Sequence, residues 1–202
     1  MEALLSVSSH TISMDLLPER PFVLDVGARN FGFTKALLEL RPNAIIHAIE
    51  PDPTVTEPFI PEVIFHSMAM VHDDRAAADY AMFSTGEGNY LTHLPWLVND
   101  AKIVNVPTMN IASFSKKVGV KHWDLIKLDC ELAEFLILEN WPEDITFGQI
   151  TVEFHDFNTL DEHGESYYEK LWTKLKVKPL KFDLTSVGLG IMGHWDTLLV
   201  PA

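Results

Sequence analysis

From Pro21 onward the chain alternates short apolar runs rich in β-branched residues with longer stretches in which apolar side chains recur at helical spacing. That alternation predicts an α/β domain: parallel strands buried on both faces, each followed by a covering helix. The first strand is expected over Phe22 to Val26, and after a glycine-bearing turn a helix over Phe33 to Leu40, stopping before Pro42. A second strand over Ala44 to Ile49 ends at Glu50, where Pro51, Pro53 and Pro58 leave room only for a loop or very short helix. A third is expected over Val63 to Met68.

Between Val71 and Pro107 the pattern weakens to one short strand at Tyr80 to Ser84 and a polar stretch from Thr85 to His93. This reads as an excursion inserted near the active site. The signal returns at Asp124 to Leu128, the plainest buried strand, and in an amphipathic helix from Glu131 to Asn140, stopped by Trp141 and Pro142. A further strand is expected at Gln149 to Phe154 and a helix at Glu165 to Lys176. Leu180 to Val187 and Asp196 to Val200, separated by the glycine-rich Gly188 to Gly193, predict a closing antiparallel hairpin. With no repeat and no linker-like stretch, residues 1–202 read as one domain, with 1–20 as an N-terminal extension and 71–107 as the insertion.

Composition narrows the class. The net charge of −14 repels phosphate backbones, which argues against DNA or RNA as partner. The single cysteine, Cys130, excludes an internal disulfide and a multi-cysteine zinc site and agrees with a reducing compartment. No apolar run is long enough to suggest a membrane span, and Met1 to Asp15 lacks the basic front end of a secretory signal, so a cytoplasmic protein is expected.

The segment Asp25-Val26-Gly27-Ala28-Arg29-Asn30-Phe31-Gly32 sits where a strand hands over to a helix, and its two glycines let backbone approach a ligand closely. Glu50, at the end of the next strand, can accept hydrogen bonds from both ribose hydroxyls of an adenosine. A nicotinamide cofactor favours G-x-G-x-x-G, whereas here four residues separate the glycines and an aspartate precedes the first by two. A methionine-derived cofactor fits better, because an acidic residue can face its amino end. Candidate cofactor residues are therefore Asp25, Gly27, Ala28, Asn30, Gly32 and Glu50, with Ser67 and Met68 flanking the adenine.

These motifs resemble the FkbM family of methyltransferases, whose members open with a D-V-G-A-N-x-G type motif and continue to an E-P-x-P step, here Glu50-Pro51-Asp52-Pro53. A second block, Asp124 to Glu134 (DLIKLDCELAE), matches the family's D-L-I-K-I-D-V-E-G-A-E at most positions, with Leu132 in place of a glycine. Asn110 to Phe114 and Thr151 to His155 resemble its T-L-D-S-F segment and its strand ending in E-x-H. The resemblance implies a Rossmann-like class I methyltransferase fold, S-adenosylmethionine as donor, and transfer to oxygen, with sugar and polyketide hydroxyls as acceptor classes. It also raises the expectation that the chain is a module of a larger polypeptide beside glycosyltransferase domains.

Transfer to a hydroxyl needs donor and acceptor in line and a group that removes a weakly acidic proton. Asp129, Glu153 and His155 stand at adjacent strand ends, the last two on one face at i, i+2 spacing. Three readings stay open. His155 or Asp129 acts as general base; or Asp129, Glu153 and His155 hold Mg²⁺ or Mn²⁺; or Lys127 pairs with one carboxylate and the rest bond across the sheet. Tyr90, His93 and Trp96 are candidates to stack on a sugar, and His194 to face the acceptor. The competing functions are a decayed methyltransferase kept as a binding module and, less well matched, a nicotinamide-dependent oxidoreductase.

Overall fold

The structure is a computed structural model of all 202 residues and describes residues 3–82, 90–91, 102–131, 133–156, 165–182 and 193–202. In chain order the elements are β1 (Leu4–Val7), β2 (His10–Ser13), β3 (Phe22–Val26), α1 (Gly32–Leu40), β4 (Ile45–Ile49), β5 (Val63–His66), β6 (Ala69–Val71), β7 (Ala77–Met82), β8 (Tyr90–Leu91) and β9 (Lys102–Asn110). They continue with α2 (Ile111–Val118), β10 (His122–Leu128), α3 (Glu134–Glu139), β11 (Thr146–Asp156), α4 (Glu165–Leu175), β12 (Val177–Lys181) and β13 (Gly193–Pro201). Seven strands form the main sheet in the order β12-β13-β11-β10-β3-β4-β5, parallel from β11 through β5, with β13 inserted antiparallel between β11 and β12. A second sheet runs β6-β9-β7-β8, and β1 pairs with β2 as a separate hairpin.

The period of two along each strand sorts the core into two layers. Leu24, Val26, Ile126, Leu128, Ile150, Val152 and Phe154 face one layer with α3 and α4, which contribute Phe135, Leu138, Tyr168 and Leu171. Val23, Ile46, Ala48 and Leu125 face the other, under Phe33 and Leu37 of α1 and Val7 and Ile12 of the N-terminal hairpin. Asp25 and Lys127 belong to this second layer by the same alternation and are 0% and 3% exposed.

Several boundaries differ from the sequence reading for physical reasons. The third strand stops at His66, and a new one starts at Ala69 in the other sheet. The helix expected from Glu131 begins at Glu134, because Glu131 takes a left-handed φ of 53° that no helix continues. The penultimate strand begins at Val177, ahead of Leu180; it tolerates Pro179 because it lies at the sheet edge and pairs only with β13. The weak region after Val71 contributes β7 and β9, paired antiparallel from Ala77↔Pro107 to Met82↔Lys102. The residues before Pro21 fold as a hairpin whose two-residue turn, Ser8-Ser9, has φ of 47° and 71°. Positive φ at both positions matches the twist of the flanking strands, a geometry usually given to Asn-Gly. No helix among the described residues is long and apolar enough to cross a membrane.

Candidate functional site

The parallel strands place their carboxyl ends together, and a pocket opens there over the ends of β4, β3 and β10, beside the switch between β3 and β10 from which the connections run in opposite directions. Gly27, Arg29, Glu50, Asp52, Met70, Tyr80, Asp129 and Glu131 are among its lining residues. Gly27 has φ +81°, and a Cβ there would stand 1.7 Å from the Asp129 carbonyl oxygen, so only glycine lets the β3 and β10 ends approach this closely. The N–H groups of Gly27 and Ala28 both donate to the Ile49 carbonyl, at 2.9 and 3.0 Å, which ties the turn to β4.

Glu50 is buried at the pocket floor, its Oε2 accepting from the Arg29 N–H and its Oε1 from the Asp52 N–H, each at 2.8 Å. Burial raises its pKa, and the two backbone donors offset part of that rise. Each oxygen keeps a second lone pair to offer a ligand. Asp25 does not line the pocket. It is fully buried beneath α1, accepts from Thr34 Oγ1 at 2.6 Å and lies 3.3 Å from Lys127 Nζ. Ala28 is buried, Asn30 is exposed and caps the turn through Gly32 N–H (2.9 Å), Ser67 is exposed, and Met68 packs into the apolar layer. The wall beside the third strand is instead Ala69 and Met70.

Lys127 connects the cradle to the neighbouring charges. Its ammonium donates to the Gly27 carbonyl at 2.6 Å and stands 3.2 Å from Asp129 Oδ2. Burial alone would lower the lysine pKa, but Asp25 and Asp129 outweigh it and hold the group above the ordinary lysine range. Burial would likewise raise Asp129, yet Lys127, His10 and His155 hold its carboxyl well below the usual range.

The structure brings Asp129, Glu153 and His155 together. His155 Nε2 lies 4.0 Å from Asp129 Oδ1, 3.7 Å from Glu153 Oε1 and 3.6 Å from Glu131 Oε2, while Nδ1 is 3.2 Å from Glu134 Oε1. Burial lowers its pKa, but Glu134, Glu131 and Asp129 together push it up to about 9, so the ring is an imidazolium at neutral pH. Glu134 also accepts from the Cys130 N–H at 2.8 Å, and burial raises the Glu131 pKa. Burial also pushes the Cys130 thiol well above its ordinary value, so it is not a thiolate.

A family model described as the methyltransferase FkbM domain matches residues 25–178, well over half of the chain. The chain belongs to the FkbM methyltransferase family. The strand order of this FkbM domain, with β13 reversed, is that of the class I methyltransferase fold. Among solved structures it is similar to an FkbM methyltransferase from Methylobacillus flagellatus KT, at 11% identity and TM-score 0.47, covering 97% of this chain and 48% of that one. It is also similar to a precorrin-6y C5,15-methyltransferase from Geobacter metallireducens GS-15, at 10% identity and TM-score 0.42, covering 92% of this chain and 82% of that one. CalO1, a methyltransferase in calicheamicin biosynthesis in its SAH-bound form, matches at 16% identity and TM-score 0.40, covering 92% of this chain and 50% of that one. The chain thus spans about half the length of two of the three. No curated protein matches it.

Sequence reasoning assigned no role to four residues that the fold places here. Glu131 and Glu134 lie inside the DLIKLDCELAE block, which could have flagged them. Tyr80, in β7, lines the pocket from a region with almost no pattern. His10 comes from β2, outside the FkbM match, and lies 3.4 Å from Asp129 Oδ2 through Nε2. The alternation in LLSV-SS-HTIS, two short runs about a two-residue turn, was its one available signal. The side chains of Tyr90 and His194, and all of His93, Trp96 and Leu132, lie outside the described residues.

Proposed function

We propose that this FkbM domain transfers a methyl group from S-adenosylmethionine to a hydroxyl of a small molecule, a sugar or glycan being the acceptor class expected. The observation that carries the reading is the placement of Gly27 and Glu50 in one pocket, at the ends of the adjacent strands β3 and β4, with Asp129 and Glu131 beyond the end of β10 on its neighbouring wall. The close approach at Gly27 leaves backbone rather than side chain facing the cofactor's amino acid portion, and Glu50 offers paired oxygens to its ribose.

When bound, the cofactor supplies an electrophilic methyl on a sulfonium. The chain's own residues do the rest. Lys127, anchored on the Gly27 carbonyl, fixes the spacing between the cradle and Asp129. Glu131 lines the pocket with a raised pKa, so of the carboxylates there whose proton affinity is set by burial it is suited to accept the hydroxyl proton as the oxygen attacks. His155, protonated, balances the carboxylates around it and holds Glu131 within 3.6 Å. Asp129, ionised and paired with Lys127, orients the acceptor rather than taking its proton.

A thermal-shift measurement with S-adenosylmethionine and with S-adenosylhomocysteine tests the reading. A rise in Tm with either, lost in Glu50→Ala, is expected. No shift with either ligand would overturn it. The expectations of a cytoplasmic location and of neighbouring glycosyltransferase domains accompany the glycan acceptor, and the full reading frame tests the second.

A further inference from the structure

The weakly patterned stretch after Val71 returns to the pocket through the second sheet. β6 follows β5 after Ser67 and Met68, β9 pairs parallel with β6, and β7 pairs antiparallel with β9. Directly paired residues share a face of a sheet, and so do residues two apart along a strand. Ala69 pairs with Thr108 and Tyr80 with Val104, so Val104, Val106 and Thr108 of β9 put Ala69 and Tyr80 on one face. Ala69, Tyr80 and Val106 pack there as a small apolar cluster with Val104 against it. Tyr80 is 5% exposed and still lines the pocket. Its ring belongs to a strand with neighbours on both sides, β9 and β8, which is a firmer mount for a functional group than a loop.

The lining of the pocket divides along the strand order β10-β3-β4-β5. Gly27 and Asp129 stand at the ends of β3 and β10, Glu50 follows β4, and Ala69, Met70 and Tyr80 come from the second sheet, which the chain enters from β5. With the cofactor's amino acid portion at Gly27 and its ribose at Glu50, its base falls on the β5 side, against the second sheet. Adenine presents ring nitrogens N1, N3 and N7 as acceptors there. An ionised carboxylate cannot serve them, because it too only accepts. Tyr80 carries the only hydroxyl among the described lining residues, and no hydrogen bond among the described residues uses it. Burial raises the phenol's pKa, and the charges of Glu50, Asp52 and Glu131 raise it further, so the group keeps its proton and can donate it.

We infer that Tyr80 reads the base of the cofactor, its phenol donating to a ring nitrogen of adenine while Glu50 accepts from the ribose. The inference deepens the methyl-donor reading and rests on it. It gives the 71–107 insertion a part in recognition: β7 supplies the donor that the acid-rich strand ends lack. The two groups divide the ligand by polarity, the carboxylate taking the sugar's O–H protons and the phenol offering a proton to the base. Phenylalanine at this position would keep the packing on Ala69 and Val106 but leave a buried acceptor nitrogen without a partner.

The test is calorimetry of the full chain and of Tyr80→Phe with S-adenosylhomocysteine and with its 1-deaza, 3-deaza and 7-deaza analogues, each of which replaces one ring nitrogen by C–H. Loss of one hydrogen bond predicts that Tyr80→Phe binds S-adenosylhomocysteine about threefold to tenfold more weakly than wild type. For one of the three analogues that gap should close, with wild type and Tyr80→Phe binding it alike, because the bond has then already been removed from the ligand side. A purely structural effect of the substitution would leave the gap the same for all four ligands, and that result overturns the inference. So does equal affinity of wild type and Tyr80→Phe for S-adenosylhomocysteine, an outcome that leaves the methyltransferase reading standing. A wild-type chain that binds none of the four ligands overturns both.

Discussion

The two faces of β11 are made from one stretch of chain, QITVEFH, and are buried by opposite means. On one face Ile150, Val152 and Phe154 sink into an apolar layer with Phe135, Tyr168 and Leu171, held by contact area alone. On the other, Gln149, Thr151 and His155 are equally inaccessible but are met by specific polar partners from Ser13, Asp196 and Glu134. The apolar face needs only shape and volume, whereas the polar face needs each partner in place, since an unpaired buried group costs more than its bond returns. Stability is therefore concentrated on one side of the strand and chemistry on the other.

The largest expected effect is on the apolar side. Phe154, fully buried against Phe135 at 4.8 Å and Tyr168 at 5.5 Å, should cost about 3–5 kcal/mol as Phe154→Ala. Denaturant unfolding measures this, and the folded fraction should bind S-adenosylhomocysteine as wild type does.

Next comes the N-terminal hairpin. Gln149→Leu fits apolar bulk into the same place but strips Ser13 of both backbone partners, and a loss of about 2–4 kcal/mol is expected. Hydrogen exchange should show the hairpin opening ahead of the main sheet; an unchanged hairpin would mean that its ties to the polar face are incidental.

His155 gives a smaller effect with a definite sign. Its folded pKa of about 9 exceeds the usual 6.5, so its contribution is complete below pH 6.5 and is lost as pH rises through about 9. Wild type should lose on the order of 2 kcal/mol across that window relative to His155→Gln, measured by urea unfolding at each pH. Methyl transfer should decline over the same range.

Smallest is Thr11→Val, which removes the hydroxyl bond to Asp196 and should cost about 1–2 kcal/mol while leaving the backbone bond intact.

The same comparison explains what the sequence disclosed. Apolar periodicity reports the layer it builds, so β3, β4, β10 and α1 were legible within two residues, and the motifs pointed to Gly27, Glu50 and Asp129, which line one pocket. Alternation in QITVEFH reads equally as a strand with one wet face, and nothing local says that a hairpin some 140 residues earlier covers it. Asp25 shows the limit from the other direction. Its position in the motif suggests a ligand to the cofactor's amino group, but the pleat turns it under α1, where Thr34 and Lys127 bind it. Long-range partners of this kind leave no periodic trace, which is why His10 and Tyr80 emerge only in three dimensions.

The account's central claim is that a methyl donor lies across the ends of β3 and β4, and calorimetry with S-adenosylhomocysteine tests it most directly. Wild type should bind one equivalent, and Glu50→Ala, which removes the two oxygens offered to the ribose, should lose affinity by at least about tenfold. No heat from the wild-type chain, or undiminished binding in Glu50→Ala, would contradict it.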